Sequence, residues 1–227
     1  MLKKFILPCL LIFLFSACSL KMPEVKMPEV KMPEFKMPEF LLFGKDKNTI
    51  ALEKANICQE IEDMDNKLFC YKKILNENSY AQLRMGTYSV EKKDYKKALE
   101  YLNQAIDNKN AYANLALAFL YYKGDGVEKD IDKAFKLLSD SSNIDPTAAY
   151  QLSRFYLQGI NTKIDINKGI DLLEFAASKN MLPAQKMLVR IYSEGMFLQE
   201  KNPKKAKQWE DEIKKDIKDT NFDIYKI

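Results

Sequence analysis

Thiols are the residues of this chain best placed to do chemistry. Cys58 and Cys70 lie equidistant from Met64, inside the polar stretch Glu62-Asp63-Met64-Asp65-Asn66. If residues 48–61 and 67–75 are antiparallel helices, positions equidistant from the turn lie side by side, close enough for a disulfide. An exported compartment would favour its oxidation; two buried free thiols on the inner helix faces are the alternative. Histidine is absent, which removes the commonest general base and the commonest metal ligand together. The acidic cluster Glu60, Glu62, Asp63, Asp65 lacks the glycine and terminal glutamate of a calcium loop and reads as a solvated turn. No cofactor or metal site is read from the sequence.

Cys18 calls for different chemistry. The chain opens Met1-Leu2-Lys3-Lys4, runs apolar through residues 5–15, and then reads Ser16-Ala17-Cys18. That is the three-part plan of a secretory signal, with an apolar run too short to cross a bilayer as a helix. The small-small-cysteine junction resembles the bacterial lipobox, with Phe15 where Leu is usual. The resemblance implies removal of residues 1–17, acylation of Cys18, and attachment to a membrane through that lipid. Cys9 then leaves with the signal. Ser19, rather than Asp, follows the cysteine, which in Gram-negative lipoproteins implies an outer-membrane location facing the periplasm. An ordinary signal cleaved near Ala17, leaving Cys18 free, is the alternative.

Three residues after Cys18 the chain repeats itself as KMPEV-KMPEV-KMPEF-KMPEF over residues 21–40. Proline at every fifth position blocks helix and removes an amide that a central strand would need. Residues 18–47 therefore read as the lipid anchor and an extended spacer, with the twenty repeat residues reaching about 60 Å when taut. The alternative is a ladder of docking sites, with the cell wall as one partner it would serve.

From about residue 48 apolar residues recur three and four apart, as in helices. A longer period then appears. An offset of 35 carries Ala113 to Ala148, Leu117 to Leu152, Tyr121 to Tyr156, Gly124 to Gly159, Asp130 to Asp165 and Lys133 to Lys168. At 36 come Ala184, Leu188, Tyr192 and Gly195, and at 37 come Asn202, Lys205 and Ala206, so the last loop holds an extra residue. A period in the mid-thirties means one helical hairpin per repeat, stacked into a solenoid. Residues 113–138 resemble the Sel-one-like repeat, and residues 80–110 read closer to a tetratricopeptide hairpin. Asn161 in place of the second turn glycine and the loop after Gly195 depart from the pattern. The expected fold is all-α: a right-handed α-solenoid of about ten antiparallel helices behind a disordered tether. Its parts are a divergent capping hairpin (48–79), a tetratricopeptide-like repeat (80–110), Sel-one-like repeats (111–202), and a capping helix and tail (203–227).

In tetratricopeptide-type hairpins the first helix lines the groove. Counting outward from Met85, Leu117, Leu152 and Leu188 places Tyr80, Tyr112, Leu115, Phe119, Tyr122, Tyr150, Arg154 and Arg190 on that face. Tyrosine and arginine are the types in which binding energy concentrates. The alternative is that curvature buries these side chains between helices.

The 36 basic and 32 acidic residues leave a net charge of +4, too small a footprint for nucleic acid. Ser89-Val-Glu-Lys92 fits the S-x-x-K string of penicillin-recognising enzymes, but the companion strings are missing. The resulting reading is a non-enzymatic, membrane-anchored scaffold for other cell-envelope proteins. A surface-exposed or secreted factor that binds a host protein, and a cell-wall-active enzyme, are the alternatives.

Overall fold

Aspartate or asparagine starts eight of the ten helices in the described part of the chain, residues 46–215 and 223–227 of a computed structural model. Cys18 and the KMPE units lie outside the described residues. In each of the eight a side-chain oxygen accepts from amides two or three residues on, satisfying donors that the first turn leaves open. Asp130, Asp165 and Asn202 do this in successive repeats, accepting from Lys133, Lys168 and Lys205 at 2.8, 3.0 and 3.0 Å.

The helices are α1 (Lys47–Glu60), α2 (Met64–Ile74), α3 (Ser79–Glu91), α4 (Tyr95–Asp107), α5 (Ala113–Lys123), α6 (Ile131–Ser141), α7 (Pro146–Gln158), α8 (Ile166–Ser178), α9 (Leu182–Arg190) and α10 (Pro203–Lys214). Consecutive pairs form five antiparallel hairpins, and no strand occurs among the described residues. The architecture is the right-handed α-solenoid expected from the period. None of these helices is long and apolar enough to cross a membrane.

The period records one recurrent turn. Gly124, Gly159 and Gly195 end the first helices at φ of 82°, 68° and 78°, a region glycine enters at little cost. Next, the amides of Asp130, Asp165 and Asn202 donate back to the carbonyls of Tyr121, Tyr156 and Tyr192 at 2.9, 3.0 and 2.7 Å. The repeated lysine then lies over the ring of the repeated tyrosine: Lys133 on Tyr121, Lys168 on Tyr156 and Lys205 on Tyr192, at 4.0, 4.5 and 4.7 Å. Each pair staples the two helices of its hairpin across the loop. The two departures from the repeat are absorbed locally. Asn161 takes φ 54°, doing what Gly126 does at 72°, and its amide donates to Asp132 at 2.6 Å. The extra residue after Gly195 is accommodated in a loop where Phe197 and Leu198 both take positive φ.

Small residues set the helix spacing. Ala134, Gly169 and Ala206 occupy equivalent, buried places on the second helices. At Gly169 a Cβ would meet Leu157 Cγ at 2.6 Å, so the leucine leaves no room there for a methyl. The first hairpin is closed covalently. Cys58 on α1 and Cys70 on α2 form a disulfide with Cα atoms 5.6 Å apart, the pairing expected from their symmetry about Met64.

Candidate protein-interaction face

Four hairpins contribute side chains to one spot on the face made by the first helices, and segment 223–227 sits there. The α3 helix supplies Arg84 and Thr87, one turn apart and so on one side. Arg84 is fully buried. Its guanidinium donates to neutral oxygens on three sides: Asn56 Oδ1 at 2.6 Å, Tyr71 Oη at 3.3 Å, and the carbonyl of Ile224 at 3.3 Å. The Thr87 hydroxyl reaches the carbonyl of Tyr225. At the end of α1, Gln59 Nε2 donates to the carbonyls of Asp223, at 3.1 Å, and Lys226, at 2.8 Å. Both bonds go to carbonyls, which fixes the amide's orientation.

Tyr225 is the centre of the arrangement. Its ring meets Tyr112 edge-on at 6.3 Å, and Tyr112 in turn lies 6.4 Å from Tyr80. Its hydroxyl donates to Asp145 Oδ2. The other oxygen of Asp145 caps α7 through the amide of Thr147 at 2.8 Å, so the helix start holds the carboxylate in place. Burial pushes the Asp145 carboxyl above its ordinary range, opposed by the Tyr225 hydroxyl and by amides of α7. Burial, with the charge of Asp145 second, pushes the Tyr225 phenol far above its ordinary value. The segment is itself a turn: Asp223 accepts from the amide of Tyr225 at 2.9 Å.

The eight residues expected in the groove fall into different places. Tyr112 touches the segment. Tyr80 and Leu115 are buried, a correction to their reading as groove wall: Tyr80 joins the first core cluster, and Leu115 packs in the second with Ala118, Ala134 and Leu152. The reason is local. The α5 helix is apolar on every side and is covered on more than one face. Phe119, Tyr122 and Arg154 stay exposed or at the edge and line a pocket of about 100 Å³ floored by Phe155 and Leu138. Tyr122 meets Phe155 edge-on at 6.0 Å. Tyr150 is half-buried against the last core cluster, and Arg190 is exposed beside Glu194 at 3.4 Å.

Gln59, Arg84, Asp145 and Tyr225 were absent from the sequence-level set. Arg84 had a visible signal, a charged residue immediately before Met85, the residue read as inward. Asp145 reads from sequence only as a cap before Pro146. Ser89 and Lys92 do not form a catalytic pair. Ser89 is buried and donates to the carbonyl of Met85 at 2.8 Å, while Lys92 lies over the ring of Tyr88 at 5.2 Å.

Comparison with known proteins agrees with this geometry. The Sel1 repeat family model matches residues 79–110, 111–140, 146–181 and 183–209. These are the four hairpins from α3 to α10, including the one that reads closer to a tetratricopeptide and the helix expected only as a cap. The alginate biosynthesis protein AlgK of Pseudomonas syringae pv. tomato is 31% identical over 102 residues, 45% of this chain and 22% of that protein. The ERAD-associated E3 ubiquitin-protein ligase component HRD3B of Arabidopsis thaliana is 39% identical over 57 residues, 25% of this chain and 9% of that protein. The matched part of the chain thus spans less than a quarter of either relative's length. Among solved structures, a Sel1 repeat protein from Oxalobacter formigenes superposes with a TM-score of 0.67 at 23% identity, covering 77% of this chain and 73% of that one. A protective antigen of uropathogenic Escherichia coli, c5321, superposes at 0.57 and 21% identity, covering 74% of this chain and 38% of that one. At those identities the likeness is one of fold. With repeat matches covering more than half of its length, the chain belongs to the Sel1 repeat family.

Proposed function

We propose that this protein is a bacterial envelope scaffold, held by lipid on Cys18 to the periplasmic side of the outer membrane, whose first-helix face binds other envelope proteins. The observation that carries the reading is that α1, α3 and the starts of α5 and α7 direct side chains onto one short stretch of polypeptide. Most of those bonds go to backbone carbonyls, which any protein segment supplies. The Ser16-Ala17-Cys18 junction supports the lipid anchor, and residues 21–40 act as the spacer between it and the solenoid. A relative named for alginate biosynthesis comes from a Pseudomonas, which supports a bacterial setting.

Membrane fractionation with a fatty-acid analogue tests the anchor. The wild-type chain is expected in the membrane fraction and labelled, and Cys18→Ala in the soluble fraction without label. Undiminished labelling of Cys18→Ala would overturn the anchor.

A further inference from the structure

Segment 223–227 fits its site as a ligand fits a receptor. Three of its carbonyls, those of Asp223, Ile224 and Lys226, accept from Gln59 or Arg84, and the fourth, that of Tyr225, accepts from Thr87. Its one aromatic side chain is read at both ends, by the Tyr112 ring and the Asp145 carboxylate. Ile224 and Ile227 pack on the first core cluster. Two of the readers, Arg84 and Asp145, are charged and almost wholly buried with the segment in place. A charge buried in this way is costly unless its hydrogen bonds are met, so the site demands an occupant that meets them.

We propose that this is a recognition site for a protein turn carrying an aliphatic–tyrosine pair, that segment 223–227 is its resident occupant, and that a partner engages the scaffold by displacing it with a turn of the same chemistry. The proposal rests on the scaffold reading above and names the chemistry of its partner. Tyrosine is selected over phenylalanine because the hydroxyl meets a buried carboxylate, and a site built to hydrogen-bond a hydroxyl rejects the analogue without one. Backbone-directed donors leave the neighbouring side chains free to vary. The occupant therefore blocks casual binding while costing a matched partner only the difference between two similar turns.

The test uses the full chain carrying Tyr225→Ala, which removes the anchor of the resident segment, and a labelled synthetic peptide Asp-Ile-Tyr-Lys-Ile as probe. Fluorescence anisotropy is expected to show saturable one-to-one binding to the variant. Binding to the wild-type chain should be at least about tenfold weaker, as should binding of the variant to the peptide with Phe for Tyr. A folded variant that ignores the peptide, or that binds the Tyr and Phe peptides alike, overturns the site. Loss of the fold in Tyr225→Ala makes the segment a structural element and overturns displacement. The milder Tyr225→Phe, which keeps the ring, is expected to bind the peptide more tightly than wild type; unchanged binding contradicts the proposal. Sedimentation is expected to show a monomer. A dimer that Tyr225→Ala dissociates would assign the site to a second copy of the chain and overturn a foreign partner. Peptide binding is measured without membranes, so its failure leaves the envelope reading standing, and failure of the anchor test leaves the site standing.

Discussion

Asp145 holds the start of α7 with one carboxylate oxygen and the hydroxyl of Tyr225, 80 positions further along the chain, with the other. A helix cap is thereby made into a receptor for a distant side chain. Tyr225→Phe removes the donor and leaves a buried acceptor unpaired. A hydrogen bond to a charged group is worth about 1.5–3 kcal/mol, and a fall of that size is expected in thermal or denaturant unfolding. No change would mean that the contact is not formed in solution.

The same pair gives a pH dependence of definite sign. Burial and the Asp145 charge raise the Tyr225 phenol in the folded chain, with Tyr112 and Asp223 acting in the same direction. A tyrosine raised on folding contributes stability that is fully present below its ordinary value near 10 and lost as pH rises above it. Burial also raises Tyr71, Tyr80, Tyr112 and Tyr192, so an ultraviolet titration should show a group of late-ionising tyrosines that is smaller by one in Tyr225→Phe. Ionisation of Tyr225 near its ordinary value would contradict its burial.

Reduction of the Cys58–Cys70 bridge removes a constraint on a short loop of the unfolded chain. Loop closure of this length is worth about 3 kcal/mol in the chain-entropy model. Reductant, or Cys58→Ala with Cys70→Ala, should lower stability by up to that amount, with the loss concentrated in α1 and α2 as read by hydrogen exchange. Free thiols at both Cys58 and Cys70 in protein isolated without reductant would contradict the bridge.

Gly169 offers a test of packing between the two helices of one repeat. A methyl there meets Leu157 and also comes within 3.3 Å of the Ser153 carbonyl, so Gly169→Ala is expected to cost about 1–3 kcal/mol despite alanine's better helix propensity. Leu157→Ala should recover part of that loss when combined with it, an interaction that a double-mutant cycle would measure.

The parts of this structure legible in the sequence are those that repeat or that lie symmetrically about a turn. Tyr121, Gly124, Asp130 and Lys133 recur because one turn geometry recurs, so an offset of 35 exposed them all, although the lysine-on-tyrosine contact itself went unread. Cys58 and Cys70 were readable because two helices about a known turn fix which positions are neighbours. Tyr225 was not, because its partners lie on helices whose order along the solenoid says nothing about where a later segment returns. Leu115 misled because counting along a helix gives direction but not which neighbour covers it. Arg84 ran against the expectation that arginine stays near solvent, an expectation that fails where neutral oxygens surround it.

The central claim, that the first-helix face is where envelope proteins bind, is tested most directly by site-specific photo-cross-linking in living cells. A photoreactive residue at Phe119, on that face beside Tyr122 and Arg154, is compared with one at Lys136, exposed on the second helix of the same hairpin. Adducts with envelope proteins are expected from position 119 and not from 136. Adducts from 136 with none from 119, or adducts with cytoplasmic proteins alone, would contradict the account.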